Sequence, residues 1–270
     1  MRPYQDQTFE RRRVTNRENL LVYDNFVSGD QWVDTPTILV EEDVIFGPVS
    51  GTKGHLLTKT SPNNTWLSYW SIPSNFSNWD GWYNWSNDQI EDYKDHWISS
   101  DKFNTSSVYV TFSCFLKINA ANPPSIGNNN RRYTDVKITS RGFDSVVGSS
   151  IELYHQATMH WDMETRSASS ILGAPTGKYF TPANNATKNI TPTWQTNLYA
   201  EEYPGGWHRL VLSSPLAPEC SSIAISILPA GYAQPPYTTG SIYAAGPQLE
   251  IGRFASEWKP ARNSDNIHPY

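Results

Sequence analysis

The chain has 270 residues, of which 17% are charged, with 19 prolines, 16 glycines and a net charge of −5. That balance provides no basic footprint for nucleic acid, and no apolar run approaches the roughly 18–20 residues of a membrane span. A low charged fraction with frequent Pro and Gly suits short strands joined by turns, in a chain long enough to bury one substantial core.

Residues 1–18 place Arg11, Arg12 and Arg13 among polar neighbours without periodicity, and MRPYQDQTFERRR has no apolar stretch of the kind a secretory signal carries. The segment reads as an extended arm, either a frayed terminus or an attachment segment that orders on a partner. From residue 19 the signal is β. In VYVTFSCFLKI, 108–118, Val108, Val110, Phe112, Cys114, Leu116 and Ile118 share one face, and Tyr109, Thr111, Ser113, Phe115 and Lys117 the other. Period 2 held over that span predicts a strand with one face fully buried. In 151–161, Ile151, Leu153, His155, Ala157, Met159 and Trp161 fall on one side in the same way. WHRLVLS (207–213), SIAISIL (222–228) and SIYAAGPQLEI (241–251) are further strands between Pro and Gly turn signals.

One stretch departs from this pattern. Ser86-Asn87-Asp88-Gln89 has the capping-box form, and Ile90, Tyr93 and Trp97 follow at the spacing of one helix face. A short amphipathic helix over 87–97 is predicted inside an insertion at about 70–104, entered by WDGWYNWS at 79–86.

Catalytic and metal-binding patterns are missing from the sequence. His155 and His160 are five apart on a strand and point to opposite faces. His96 and His208 read as surface or hydrogen-bonded histidines. Asp88, Glu91 and Asp95 have the spacing of a solvated helix face, and Glu201 and Glu202 are unspecific. Cys114 and Cys220 lie in apolar runs and are expected as buried free thiols. No cofactor and no metal are expected.

Four stretches carry a resemblance. NLLVYDNFVSGDQW (19–32), VYVTFSCFLK (108–117), GGWHRLVLS (205–213) and IYAAGPQLEIGRFASEWKP (242–260) resemble, in this order, motifs of carbohydrate-binding-module-like jelly-roll domains of tailed-bacteriophage structural proteins. In the closing motif, Leu249 and Ile251 fall on one face of the last strand and Gln248 and Glu250 on the other, free to bond the first strand or a loop. Gly252 permits a turn, and Trp258 is expected to plug the end of the sandwich. The resemblance implies an all-β, antiparallel jelly-roll sandwich over 19–260, between the arm (1–18) and a tail (261–270). The insertion at 70–104 and an Asn-rich one at 119–135 lie outside the motifs.

The implied function is that of a non-enzymatic virion component: a capsid decoration, head-fibre or tail-fibre protein whose partners are other virion proteins and further copies of itself. Arg11, Arg12 and Arg13 are then the expected attachment residues. The alternative is a module recognising host surface polysaccharide, with Trp79, Trp82, Tyr83 and Trp85 as the sugar-binding candidates, since flat aromatic faces bury well against sugar rings. The insertion has few aliphatic residues with which to bury its helix, so burial is expected for at least two of Trp79, Trp82 and Trp85.

Overall fold

A computed structural model describes residues 19, 21, 26, 32–33, 37–63, 67–71, 97–100, 105–126, 131–144, 151–170, 176–181, 186–190, 197–215, 222–231 and 238–260. They form two antiparallel sheets. The strands, in chain order, are β1 (Trp32–Val33), β2 (Ile38–Phe46), β3 (Lys53–Lys59), β4 (Leu67–Ser71), β5 (Trp97–Ser100), β6 (Thr105–Ile118), β7 (Tyr133–Asp144), β8 (Ile151–Asp162), β9 (Ser167–Ser170), β10 (Thr176–Thr181), β11 (Ala186–Ile190), β12 (Leu198–Tyr203), β13 (Trp207–Pro215), β14 (Ser222–Leu228) and β15 (Gly240–Ile251). The first sheet has the order β1-β4-β14-β7-β8-β10-β11, with β9 pairing β8; the second has the order β12-β13-β6-β15-β3-β2, with β5 pairing β6.

The core lies between the sheets, where period 2 places it. Val110, Phe112, Cys114 and Leu116 of β6 pack with Leu210 and Leu212 of β13 and Leu249 and Ile251 of β15 on one side. They meet Val136 and Ile138 of β7, Ala157, Met159 and Trp161 of β8, and Ile223, Ile225 and Ile227 of β14 on the other. Leu21 and Phe26 of the opening motif join the same core. Cys114 is a buried free thiol, its pKa pushed up by burial; Cys220 lies outside the described residues.

Strand β6 holds more than alternation predicts. Its second face is buried as well: Tyr109, Thr111, Ser113 and Phe115 are as inaccessible as Phe112 and Leu116. Strand β15 reaches this arrangement through a bulge. Ala245 pairs Phe115, but Gln248 pairs Ser113, so one extra residue enters at Gly246-Pro247. The extra residue reverses the alternation, which keeps Ile242 and Ala244 before it, and Leu249 and Ile251 after it, on the core face. Gly246 has φ 52°, and a Cβ there would lie 2.7 Å from Trp258 Nε1, so both backbone and space demand glycine.

Two expectations change here. Trp258 does not plug the end of the sandwich: it lies on the outer face of the second sheet with Phe115, Trp207 and Ala245, because the bulge at Gly246 opens a seat for its indole. The predicted helix cannot include Trp97, which opens β5 and pairs Val108; the rest of it, 87–96, lies outside the described residues, as does WDGWYNWS. The Asn-rich segment is partly described. Asn122 donates through Nδ2 to Ser241 Oγ at 2.8 Å, Ser241 N donates to the Asn122 carbonyl at 2.8 Å, and Ser125 N donates to the Thr239 carbonyl at 2.7 Å, tying the segment to the start of β15.

Candidate functional site

The outer face of the second sheet presents two rows of side chains that the strand registers align. Glu201 on β12, Arg209 on β13, Phe115 on β6, Ala245 on β15, Gly54 on β3 and Ile45 on β2 form one row. The next is Tyr203, Trp207, Lys117, Tyr243, Leu56 and Glu41, on the same strands in order.

Small residues in the first row make room for large ones in the second. A Cβ on Gly54 would lie 3.1 Å from the Trp207 ring, so the indole lies over Gly54. Tyr203 meets Phe115 edge-to-face at 5.0 Å, and Lys117 Nζ is 6.0 Å from the Trp207 ring centre. Trp207 and Phe115 are buried, while Tyr203, Tyr243, Trp258 and Lys117 are half-buried. Buried rings thus floor the face, and half-open rings and an ammonium rim it. Arg209 is buried with its guanidinium 5.6 Å from the Phe115 ring and donates to Ser113 Oγ at 2.9 Å. Its cross-strand neighbour is Glu201.

Below these rows the face is closed by the end of the chain. Gln248 Nε2 donates to Ser256 Oγ at 3.0 Å, and Lys259 N donates to Gln248 Oε1 at 2.8 Å. Both Glu250 carboxylate oxygens accept from Ser256 N, at 3.2 and 3.0 Å. Thr111 Oγ1 donates to the Gly252 carbonyl at 2.6 Å, Ser213 Oγ to the Arg253 carbonyl at 2.7 Å, and the Arg253 guanidinium lies 4.7 Å from the Tyr109 ring centre. Gln248 and Glu250 therefore hold the segment that follows them. The opening motif reaches the same place through Asn19, whose Oδ1 accepts from Leu249 N at 3.1 Å and whose Nδ2 donates to the Pro247 and Lys259 carbonyls at 3.1 Å each. No protein-family model matches the chain, and no curated protein does.

A second polar cluster occupies the outer face of the first sheet. His160 pairs through Nδ1 with the buried Asp135, and the Tyr133 ring stacks on the imidazole at 4.1 Å. Asp162 accepts from Arg131 at 2.6 Å and from the backbone N–H of Glu164 and Thr165 in the turn after β8. Burial would raise its pKa, but the hydrogen bonds from Thr165, Glu164 and Arg131 outweigh burial and hold it low. Of the two alternatives expected for His208, surface or hydrogen-bonded, the surface one is excluded. It is buried with its ring centre 5.1 Å from that of Trp161, and the Gly206 backbone is its hydrogen-bonding neighbour. Desolvation is the largest cause lowering its pKa, and Arg166 lowers it further.

Among the described residues no three His, Cys, Asp or Glu side chains converge as metal ligands. Glu201 and Glu41 stand on opposite edge strands of the second sheet, roughly 24 Å apart along it at the usual strand spacing. That is beyond the roughly 5–10 Å of a glycosidase carboxylate pair.

The sugar-binding candidates Trp79, Trp82, Tyr83 and Trp85 and the attachment candidates Arg11, Arg12 and Arg13 lie outside the described residues. Sequence reading passed over Tyr203, Trp207, Lys117, Tyr243 and Arg209. Their signal is present in retrospect: aromatic or basic residues occupy the non-core positions of the strands that supply them, where alternation alone predicts simple polar side chains.

Proposed function

We propose that this protein is a non-enzymatic structural component of a tailed-phage virion, a capsid-decoration, head-fibre or tail-fibre subunit built on a carbohydrate-binding-like jelly roll. The observation that carries the reading is the lock between the opening and closing motifs. The residues that carry the resemblance, Asn19, Gln248 and Glu250, are the ones that hold residue 19 and the 256–259 segment against β15. A jelly roll is further supported by the path of the chain, in which β2 and β3, β5 and β6, β12 and β13, and β15 join the second sheet between returns to the first. The closing strand β15 lies beside β3, so the ends of the β region meet. Fold alone does not assign function, and the virion placement rests on the resemblance.

A test is cryo-EM of purified particles decorated with an antibody fragment raised against the protein. Sandwich-shaped density for 19–260 on the capsid or tail is expected. A protein produced during infection yet missing from purified particles would sink the reading.

The second reading, adhesion to a host surface glycan, is favoured by the half-open row of Tyr203, Lys117 and Tyr243 above the Trp207 indole. Stacked aromatic faces with flanking hydrogen-bond donors suit a sugar ring. Glycan-array binding should fall on Tyr243→Ala and Tyr203→Ala if this face is used. Loss on Trp82→Ala alone would move the site to the 79–86 stretch.

A further inference from the structure

Strand β2 forms an edge of the second sheet, and among the described residues its strand partner is β3 alone. Leu39 is 53% exposed and Phe46 89% exposed. Glu41, Glu42 and Asp43 are exposed between them. Asp43 is held by Lys53, while Glu41 and Glu42 have no ion pair among the described residues. An exposed edge is a template for another strand, and the acids decide which kind. Antiparallel pairing of β2 with itself about Glu42 would set Glu42 against Glu42 and Glu41 against Asp43, and like charges directly opposite destabilise a pair. A basic strand meets the opposite condition.

The sequence contains a strongly basic stretch at Arg11, Arg12 and Arg13. With Arg12 set antiparallel to Glu42, Arg11 falls opposite Asp43, Arg13 opposite Glu41, Val14 opposite Val40 and Phe9 opposite Ile45. The bulge between Glu41 and Ile45 interrupts the ladder, so backbone pairing is confined to 38–41 and the remaining contacts are made by side chains. Asn19 is anchored beside Leu249, and the eighteen residues before it reach roughly 60 Å when extended, more than the roughly 24 Å width of the sheet. The exposed Leu39 and Phe46 flank the acids, so a strand supplied by a second copy would also cover apolar surface there.

We infer that the basic arm of one copy, centred on Arg11, Arg12 and Arg13, pairs along the acidic β2 edge of a second copy, so that the protein assembles by arm exchange. The contact is head-to-tail, which closes into a ring when the rotation allows and otherwise extends.

Light scattering after size-exclusion chromatography, over a concentration series, tests it on the full chain. The wild type should exceed monomer mass. Glu41→Lys with Glu42→Lys, and separately Arg11→Glu with Arg12→Glu and Arg13→Glu, should each weaken assembly by about ten-fold or more, as close interfacial charge pairs do. Combining the two sets restores the charge match and should recover assembly. Circular dichroism checks that each variant is folded, and both sets change exposed or arm positions. A wild type that stays monomeric up to millimolar concentration overturns the inference. So does assembly indifferent to Glu41 and Glu42, or a combined variant no better than either set alone.

Discussion

Where β6 meets the end of β15, the two faces of the second sheet are buried to the same degree by different means. Phe112, Cys114 and Leu116 are buried by the opposite sheet, in an apolar layer that needs no directional partner. Thr111, Gln248 and Glu250 hydrogen-bond the chain's own closing segment, and Ser113 accepts from the buried Arg209. The inner face gains its stability from apolar area removed from water. The outer face gains little net energy per hydrogen bond, yet it loses a full desolvation penalty wherever a partner is removed. The first face should therefore respond to lost volume and the second to lost partners.

The largest expected effect tests the inner face. Phe112→Ala should cost about 3–5 kcal/mol in chemical denaturation, the range for truncating a packed core aromatic. A loss under about 1 kcal/mol would mean that the layer is not packed as described.

Lys59 probes the exception on that face. It is buried at the sandwich end, where Nζ donates to the Ala230 carbonyl at 3.1 Å, and desolvation lowers its pKa to about 8. The unfolded chain keeps the proton up to pH 10.5, whereas the folded chain releases it near 8. Stability relative to Lys59→Met should therefore rise with pH across that window, by roughly 3 kcal/mol at most. A flat difference between pH 7 and 11 would place the ammonium in water.

On the outer face, Glu250→Gln should cost about 1.5–3 kcal/mol, the range for a hydrogen bond to a charged group. Ser256→Ala should cost less, and the pair together should cost less than the sum of the two because they share the interaction. Full additivity would separate Glu250 from Ser256.

A smaller effect is expected from two buried histidines. Desolvation lowers the pKa of both His55 and His208 below 6.5. As the pH falls below 6.5 the unfolded chain takes up protons that the folded chain refuses, so stability declines through that range. His208→Gln should flatten the acid limb of the stability profile; an unchanged limb would remove His208 as a contributor.

The smallest change in stability belongs to the rim. Tyr243→Ala removes a half-buried ring whose hydroxyl donates to Asn119 at 3.4 Å, and should alter stability by about 1 kcal/mol or less. The same substitution is expected to abolish glycan binding if the outer face is the adhesive one, which separates binding from folding at one residue.

How much of this was legible follows the range of the interactions. Alternation set the core face of β6 and the inward Ala157, Met159 and Trp161 of β8, and it located β13, β14 and β15 approximately, because period 2 is written in neighbouring residues. It also supplied Leu249 and Ile251 as inward and Gln248 and Glu250 as outward. The aromatics of 79–86 drew attention by density, whereas Tyr203, Trp207 and Tyr243 are spread over three strands and become one row only through register.

By itself, then, the sequence determined that this chain is built of strands with one apolar face. Only the tertiary structure decided that β6 is covered on both faces, that a bulge at Gly246-Pro247 turns β15 over, and that Trp258 lies on the sheet rather than at its end. The reason is distance along the chain. Asn19 finds the Pro247 carbonyl 228 positions away, and no local period encodes a contact between segments that meet only when both sheets are in place.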